Sequence, residues 1–135
     1  MGQERLTFPE GYAELLSGKL CATAGTMLPD GHIQMSPMWF EFDGYVIRMS
    51  TTTDRQVYRN LKNRKTVSLC VMDDIGKYIE IRGQVTDVVT DEGFAFFRKL
   101  SERYTGTQDY PFHQEQEVRV IVTMAIDRKI CFAPM

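Results

Sequence analysis

The run ATAGTMLPDGHIQMSPMWFEFDG, residues 22–44, contains two Asp-Gly steps, each flanked by apolar residues. Glycine reaches positive φ without steric cost, so an Asp-Gly step between apolar runs is typical of the tight turn of a β-hairpin. The run predicts turns at 29–31 and 43–44 that join strands over 20–27, 32–42 and 45–50. Three strands joined in this way form an antiparallel meander.

The rest of the chain alternates further strand patterns with short helical ones. Apolar runs predict strands over 66–73, 77–89, 118–124 and 128–132, and Gly83 marks a bulge or a close approach of two backbones. Helices are predicted over 9–17, over 55–63 and from Thr90 to Gly106, with Asp54 and Thr90 as N-caps and Gly106 as the stop.

Six or seven antiparallel strands with two or three helices in 135 residues predict a mainly β (α+β) fold. The expected architecture is a small barrel, and the length suits one domain over 1–135. A net charge of -2 argues against nucleic acid as a partner, because phosphate binding needs a basic face. No apolar run is long enough to cross a bilayer, and the first residues lack a signal-peptide pattern.

The three cysteines are Cys21, Cys70 and Cys131, too far apart for a metal site and odd in number. Cys21 and Cys70 lie in apolar runs and are expected to be buried, which together with the missing signal pattern predicts a cytoplasmic protein. No GxSxG, HExxH or CxxC motif occurs in the sequence. If the protein is an enzyme, a bound cofactor is expected to carry the chemistry.

Two segments have features of a ligand site. In SPMWF, residues 36–40, Pro37 cannot donate to a β ladder and so leaves neighbouring backbone groups available; an ordinary edge strand would explain it equally well. In STTTDRQVYRNLKNRK, residues 50–65, hydroxyls lead into a helix N-terminus followed by Arg55 and Arg59, a pattern that favours a phosphate. The alternative is a capped helix with a solvated basic face.

These segments resemble the pyridoxamine 5'-phosphate oxidase-like split β-barrel superfamily, and within it the oxidoreductases that use coenzyme F420. The matching pieces are residues 22–44, RQVYRNLKNRKTVSLCVMD, YIEIRGQV, ERYTG with YPF, and EVRVIV, in the family's order and over most of the chain. The resemblance implies a split antiparallel β-barrel of the FMN-binding type and a homodimer with the cofactor in a groove between subunits. It also implies a small-molecule substrate.

The resemblance also implies cofactor-binding positions on three segments. The second strand supplies Gln34, Met35, Ser36, Pro37 and Met38, whereas Trp39 alternates toward the core. The phosphate side matches Ser50, Thr51, Thr52, Arg55, Arg59 and Asn60. The partner subunit is expected to contribute Lys77, Tyr78 and Ile79. No catalytic side chain and no metal ligand is implied.

One departure from the family pattern concerns the charge near the phosphate. The family's helix start reads Arg-x-Lys-x-Arg-Asn-Leu, and Val57 stands at the lysine position. The missing charge weakens cofactor binding, changes the cofactor, or is offset by a residue such as Lys62 or Arg64.

Three functions are compatible with these residues: an F420-dependent oxidoreductase, an FMN-dependent one, or a non-catalytic flavin, deazaflavin or haem carrier. Oxidation of pyridoxamine phosphate itself is disfavoured, because residues 125–135 (AIDRKICFAPM) lack a tail with Trp and Arg.

Overall fold

The computed structural model describes residues 5–109 and 116–133. Its strands are β1 (Ala22–Met27), β2 (Ile33–Met38), β3 (Phe40–Phe42), β4 (Val46–Thr52), β5 (Thr66–Met72), β6 (Tyr78–Thr90) and β7 (Arg119–Phe132). Its helices are α1 (Gln56–Asn63) and α2 (Ala95–Thr105), with single 3-10 turns at Ala13–Leu16 and Glu92–Phe94. Neither helix, nor any other in the described ranges, has the length and apolarity that a membrane crossing requires.

The strands form one antiparallel sheet in the order β2-β1-β5-β6-β7-β4-β3. The two edge strands are consecutive in the chain, and only Trp39 separates the end of β2 from the start of β3. A seven-stranded sheet whose opposite edges lie one residue apart must curl round on itself. The fold is therefore a split antiparallel β-barrel, as the sequence predicts.

The interior of the curled sheet is the hydrophobic core. The alternation of buried and exposed side chains is visible in β4, where Ile47 and Met49 are fully buried and Val46, Arg48 and Ser50 are half-exposed. Helix α1 closes one side by burying Val57 and Leu61 against the same core. The cavity described below lies outside this core, where β2, β4, β7 and α2 meet.

Gly83 confirms the predicted close approach of two backbones. The register between β6 and β7 shifts at Arg82 and Gly83, which is a β-bulge. A Cβ atom on Gly83 would lie 1.9 Å from the carbonyl oxygen of Ala125, a distance that no side chain tolerates. Glycine at this position allows β6 and β7, the two longest strands, to pair closely at the bulge.

Three predicted element boundaries are wrong. The helix over 9–17 is only the 3-10 turn Ala13–Leu16, and the strand over 32–42 is interrupted at Trp39. The strands over 118–124 and 128–132 are one strand, β7, because β6 continues as its partner through the whole interval. Local patterns marked the breaks between apolar runs, whereas the long neighbouring strand decides whether the ladder continues.

Both predicted helix N-caps are also wrong. Arg55, with extended backbone, is the N-cap of α1, and the Asp54 carboxylate accepts a hydrogen bond from the Thr52 hydroxyl instead. Thr90 is still in β6, and the N-cap of α2 is Phe94. The carboxylate of Asp91, which precedes the 3-10 turn, accepts hydrogen bonds from the N–H groups of the first turn of α2. Gly106, with φ of 83°, ends α2 as predicted.

The cysteine prediction fails as well. Cys21 is exposed, because it precedes β1 instead of belonging to it, and Cys70 is half-buried. Burial raises the pKa of the Cys70 thiol, and nearby Glu80 acts in the same direction.

Candidate functional site

A cavity of about 230 Å³ lies where the end of β2, strand β4, the start of α1, helix α2 and the start of β7 converge. Its lining residues are Cys21, Pro37, Met38, Trp39, Ser50, Arg55, Phe97 and Arg119. Four of these, Pro37, Met38, Ser50 and Arg55, are among the positions predicted from the sequence. Two predicted segments more than ten residues apart therefore meet in one cavity.

One wall of the cavity is the end of β2. Pro37 lies opposite Thr23 of β1, and β2 is an edge of the sheet, so the missing proline N–H breaks no internal ladder. Met38 is buried in the core and Pro37 is exposed. The side chain of Met38 therefore packs into the core, and Pro37 lines the cavity on the exposed side of the strand.

A second wall is aromatic. Trp39 packs nearly parallel to Phe97 and Tyr104, two turns apart on α2, with ring centroids at 6.0 and 5.1 Å. The buried carboxylate of Asp91 holds this part of α2 by accepting the N–H groups of Phe96 and Phe97 at 3.0 and 2.9 Å. Trp39 is half-buried here, so the expectation that it points to the core is wrong; Phe40 takes the core position.

The opposite end of the cavity is cationic. Arg55 is exposed at the N-cap of α1, and Arg119 is 94% buried at the start of β7, with 6% of its surface accessible. Arg119 Nη1 donates to Ser50 Oγ at 3.3 Å, and Nη2 lies 3.1 Å from a carboxylate oxygen of Glu117. The guanidinium carbon is 3.6 Å from the centroid of the Phe97 ring.

The pKa of Arg119 reflects these surroundings. Burial lowers the pKa of its guanidinium, Glu117 raises it, and the positive charge of Arg55 lowers it again. An arginine remains protonated in proteins despite such shifts. Arg55 and Arg119 therefore line one cavity and repel each other, while the carboxylates of Glu117 and Asp91 stabilise the Arg119 charge.

The remaining predicted residues of the β4–α1 segment have other contacts. Thr51 and Thr52 are buried, and Thr52 donates to Asp54. Arg59 is exposed and donates to the Asp54 carbonyl and to the side chain of Gln56. None of these three side chains lines the cavity.

Asn60, the fourth of these positions, ties α1 to the sheet. It is 1% exposed, and its amide nitrogen donates to Thr26 Oγ1 at 3.0 Å and to Gln34 Oε1 at 2.9 Å. Its amide oxygen accepts from Gln56 at 2.8 Å. Asn60 and Gln34 therefore bond to each other, and we interpret both as supports of the site.

The other predicted positions on β2 and β6 lie outside the cavity lining. Met35 is 69% exposed, and Ser36 is half-buried opposite Ala24. The second group stands at the start of β6. Lys77 donates to the Gly11 carbonyl, Tyr78 stacks on Phe132 with centroids 5.2 Å apart, and Ile79 is fully buried in the core.

Of the three alternatives for the missing lysine, an offset by Lys62 or Arg64 finds no support in the cavity lining. Val57 is 4% exposed and belongs to the core, whereas Lys62 packs over the ring of Tyr58 and Arg64 is exposed beyond the end of α1. Neither Lys62 nor Arg64 lines the cavity, and Arg119 does.

Sequence reasoning missed Cys21, Trp39, Phe97 and Arg119. Phe97 follows the apolar spacing of α2 and so was assigned to ordinary helix packing. Arg119 had a usable signal: it is a charged residue within the apolar run of residues 118–122. A charge in such a run needs a partner or a ligand.

The lining suits a flat, anionic ligand. Aromatic and apolar side chains form one side, and two guanidinium groups with a hydroxyl form the other. The cavity is smaller than the roughly 300–1,000 Å³ usual for ligand sites. In one chain it can enclose only part of a nucleotide-sized molecule.

Comparison with known proteins gives a consistent family. A sequence profile described as pyridoxamine 5'-phosphate oxidase matches residues 8–128. Among solved structures, an F420 reductase is 39% identical, with a TM-score of 0.82 over 91% of this chain and 98% of that chain. No curated protein sequence matches the chain.

Two more distant structures share the fold alone. A conserved hypothetical protein from Mycobacterium tuberculosis is 23% identical, with a TM-score of 0.71 over 98% of this chain and 89% of that chain. An FMN-binding protein from Syntrophomonas wolfei is 13% identical, with a TM-score of 0.62 over 91% of this chain and 89% of that chain. The matching pieces quoted above fall within the described residues except YPF at 110–112.

Proposed function

The chain belongs to the pyridoxamine 5'-phosphate oxidase family, and from this we propose that it is an oxidoreductase that binds coenzyme F420, with FMN as the alternative cofactor. When bound, such a cofactor supplies hydride transfer to or from a small organic substrate. The 39% identity to an F420 reductase over nearly the whole chain supports F420 as the first choice.

The observation that carries this proposal is the composition of the cavity. Predicted ring-side residues of β2 and predicted phosphate-side residues of β4 and α1 line one space, together with aromatic side chains. In the proposal, Pro37 and Met38 face the planar ring, and Ser50 and Arg55 hold the phosphate. The lining residues that the structure describes include neither a histidine nor a carboxylate, and the proposal gives them the role of binding and orienting the cofactor.

The proposal includes a homodimer that completes the site. A cavity of about 230 Å³ needs a further wall to enclose a flavin-sized molecule. At the same sheet level, Met72, Tyr78 and Phe132 pair in a row across β5, β6 and β7, and Met72 and Phe132 are 55% and 49% exposed. This apolar row beside Lys77 is where we expect a second copy to pack, bringing Lys77 and Tyr78 to its partner's cofactor.

A titration with coenzyme F420 beside FMN tests the proposal. Binding is followed by the absorption of the cofactor and by fluorescence of the single tryptophan, which lines the cavity. We expect saturable binding of one of the two, with one cofactor per chain. Failure of both to bind at micromolar concentrations would refute it.

Turnover separates an oxidoreductase from a carrier. Reduced cofactor bound to the protein should be reoxidised faster by a suitable acceptor than free cofactor is. Binding without acceleration across a panel of quinones, enones and nitro compounds would favour the carrier.

Three unpaired cysteines are consistent with the cytoplasmic location included in the proposal.

A further inference from the structure

We infer that Arg119 is the second cation of the phosphate end, so that Arg55 and Arg119 form a two-arginine clamp, with Ser50 between them, around the ligand's phosphate group. The inference rests on the proposed function only for the identity of the ligand. The residue lies on β7, which the sequence did not connect with the site, and 69 positions separate Arg119 from Ser50.

The first argument is the cost of placing Arg119 where it is. A charged side chain is rarely more than nine-tenths buried, and burying a charge costs free energy unless the gain elsewhere is large. Glu117 compensates one edge of the guanidinium, and the Phe97 ring covers one face. A valine or methionine would fill the same volume without that cost, so packing alone does not explain an arginine here.

The second argument is the like charge beside it. Arg55 lies close enough to lower the pKa of the Arg119 guanidinium after burial has done so, and both side chains line one cavity. Glu117 and Asp91 offset part of this charge, and the remaining repulsion between the two guanidiniums is relieved when an anion binds near both. That arrangement is typical of a binding site kept positive in advance of its ligand.

The third argument is geometric. Ser50 Oγ accepts from Arg119 Nη1 at 3.3 Å, so the hydroxyl proton is available to donate to an oxygen in the cavity. Arg55 reaches the same cavity from the N-cap of α1. Phosphate oxygens can therefore meet two guanidiniums and a hydroxyl from three different elements.

The clamp also accounts for Val57. The family's lysine position is filled here by a core residue, and neither Lys62 nor Arg64 lines the cavity. Arg119 supplies a second positive charge from the opposite strand. The cavity is thus lined by two arginines without the lysine, and Arg119 itself lies in EVRVIV, one of the pieces that match the family.

The test compares ligand pairs that differ by the phosphate: FMN against riboflavin, and F420 against its deazariboflavin core. Removing Arg119 alone would leave Glu117 without its arginine, so the variant is Glu117→Gln/Arg119→Met. We expect its affinity for the phosphate-bearing ligand to fall by about tenfold to a hundredfold. Affinity for the phosphate-free partner should change by less than about threefold.

Arg128→Met is the matched control, because Arg128 is exposed on the same strand and does not line the cavity. Arg119→Lys should restore part of the loss, since the charge returns without the planar fork. For FMN, wild-type affinity should fall as the pH drops below about 6, where the phosphate loses its second charge, and this slope should flatten in the Arg119 variant.

Equal losses for both members of a ligand pair would mean that Arg119 only supports the fold, and would overturn the clamp. If neither cofactor binds the wild type, the proposed function fails and inorganic phosphate becomes the probe. Thermal stabilisation by phosphate that disappears in Glu117→Gln/Arg119→Met would then still support the clamp. Stabilisation that is the same in both proteins would overturn it.

Discussion

Two arginines at opposite ends of one aromatic stack have very different surroundings. Arg103 lies 5.0 Å from the Tyr104 ring centroid, Arg119 lies 3.6 Å from that of Phe97, and Trp39 packs against both rings. Yet Arg103 donates to three backbone carbonyls, while Arg119 faces a cavity and another arginine.

The difference separates a structural arginine from a binding one. Each nitrogen of the Arg103 guanidinium donates to one carbonyl, that of Gly18, Phe40 or Leu16, at 2.7, 2.6 and 3.0 Å. Gly18 and Leu16 precede β1, and Phe40 is the first residue of β3. Arg103 therefore fastens α2 across the split of the barrel. Arg119 bonds to Ser50 and Glu117 and also lines a cavity that a ligand can enter.

The largest effect is expected from the ring that joins the two ends. Trp39→Ala removes the ring contacts of Trp39 with Phe97 and Tyr104 and should lower the free energy of unfolding by about 2–4 kcal/mol. Cofactor affinity should fall as well, because the cavity loses a wall. Chemical denaturation and titration measure both. Trp39→Phe, which keeps a ring, should lose less than half as much in each; equal losses would contradict the stacking argument.

Arg103→Ala tests whether the Arg103 end of the aromatic stack contributes to stability without contributing to cofactor binding. It removes three hydrogen bonds and leaves carbonyls unpaired, so we expect a loss of about 2–3 kcal/mol in unfolding free energy. Affinity for the cofactor, measured where the variant is fully folded, should change by less than about twofold. A large affinity loss at unchanged stability would reverse the roles assigned to the two arginines.

Arg55→Ala tests the cavity end from its exposed side. A charge-assisted contact to phosphate is worth about 1.5–3 kcal/mol, so affinity for the phosphate-bearing cofactor should fall by roughly tenfold to a hundredfold. The free energy of unfolding should stay constant or rise slightly, because a like charge is removed from beside Arg119. Arg59→Ala is the control, since Arg59 is a neighbouring exposed arginine outside the cavity; an equal loss there would assign the effect to general charge.

The smallest effect is expected at the surface ion pair between Asp43 and Arg48, whose charged atoms lie 2.7 Å apart. Burial raises the pKa of the Asp43 carboxyl, but hydrogen bonds from Val46, Arg48 and Tyr45 outweigh it, so the pKa is lowered overall. The carboxylate therefore stabilises the fold above its unfolded pKa of about 3.9, and this is lost as pH falls through the lower folded value.

Asp43→Asn should cost less than about 1 kcal/mol at pH 7, because the pair is exposed and screened. Denaturation curves of wild type and variant should converge between about pH 4 and pH 2. A difference that persists at pH 2 would show that turn geometry, and not charge, is responsible.

Short-range signals predicted the parts of the molecule that short-range physics decides. The two Asp-Gly turns and the stop at Gly106 each depend on a glycine with positive φ, so a single sequence reveals them. Half of the cavity lining was predicted because the resemblance placed Pro37, Met38, Ser50 and Arg55 together.

The missed residues depend on neighbours far along the chain. Whether Trp39 enters the core or stacks on α2 is decided by where α2 lands, and alternation along β2 carries no information about that. Arg119 reaches the cavity because β7 pairs with β4 so that Thr52 lies opposite Arg119. No local pattern specifies such a register.

The pairing of β4 with β7 also has a consequence for when the cavity can exist. Residues 46–52 can pair with residues 119–125 only after the latter have been synthesised, so Arg55 and Arg119 come together late in synthesis. Contacts between residues so far apart in sequence form late and slow the folding rate. A nascent chain on the ribosome can thus form its first hairpins before the proposed anion site exists. Anion binding would then be a measure of completed folding.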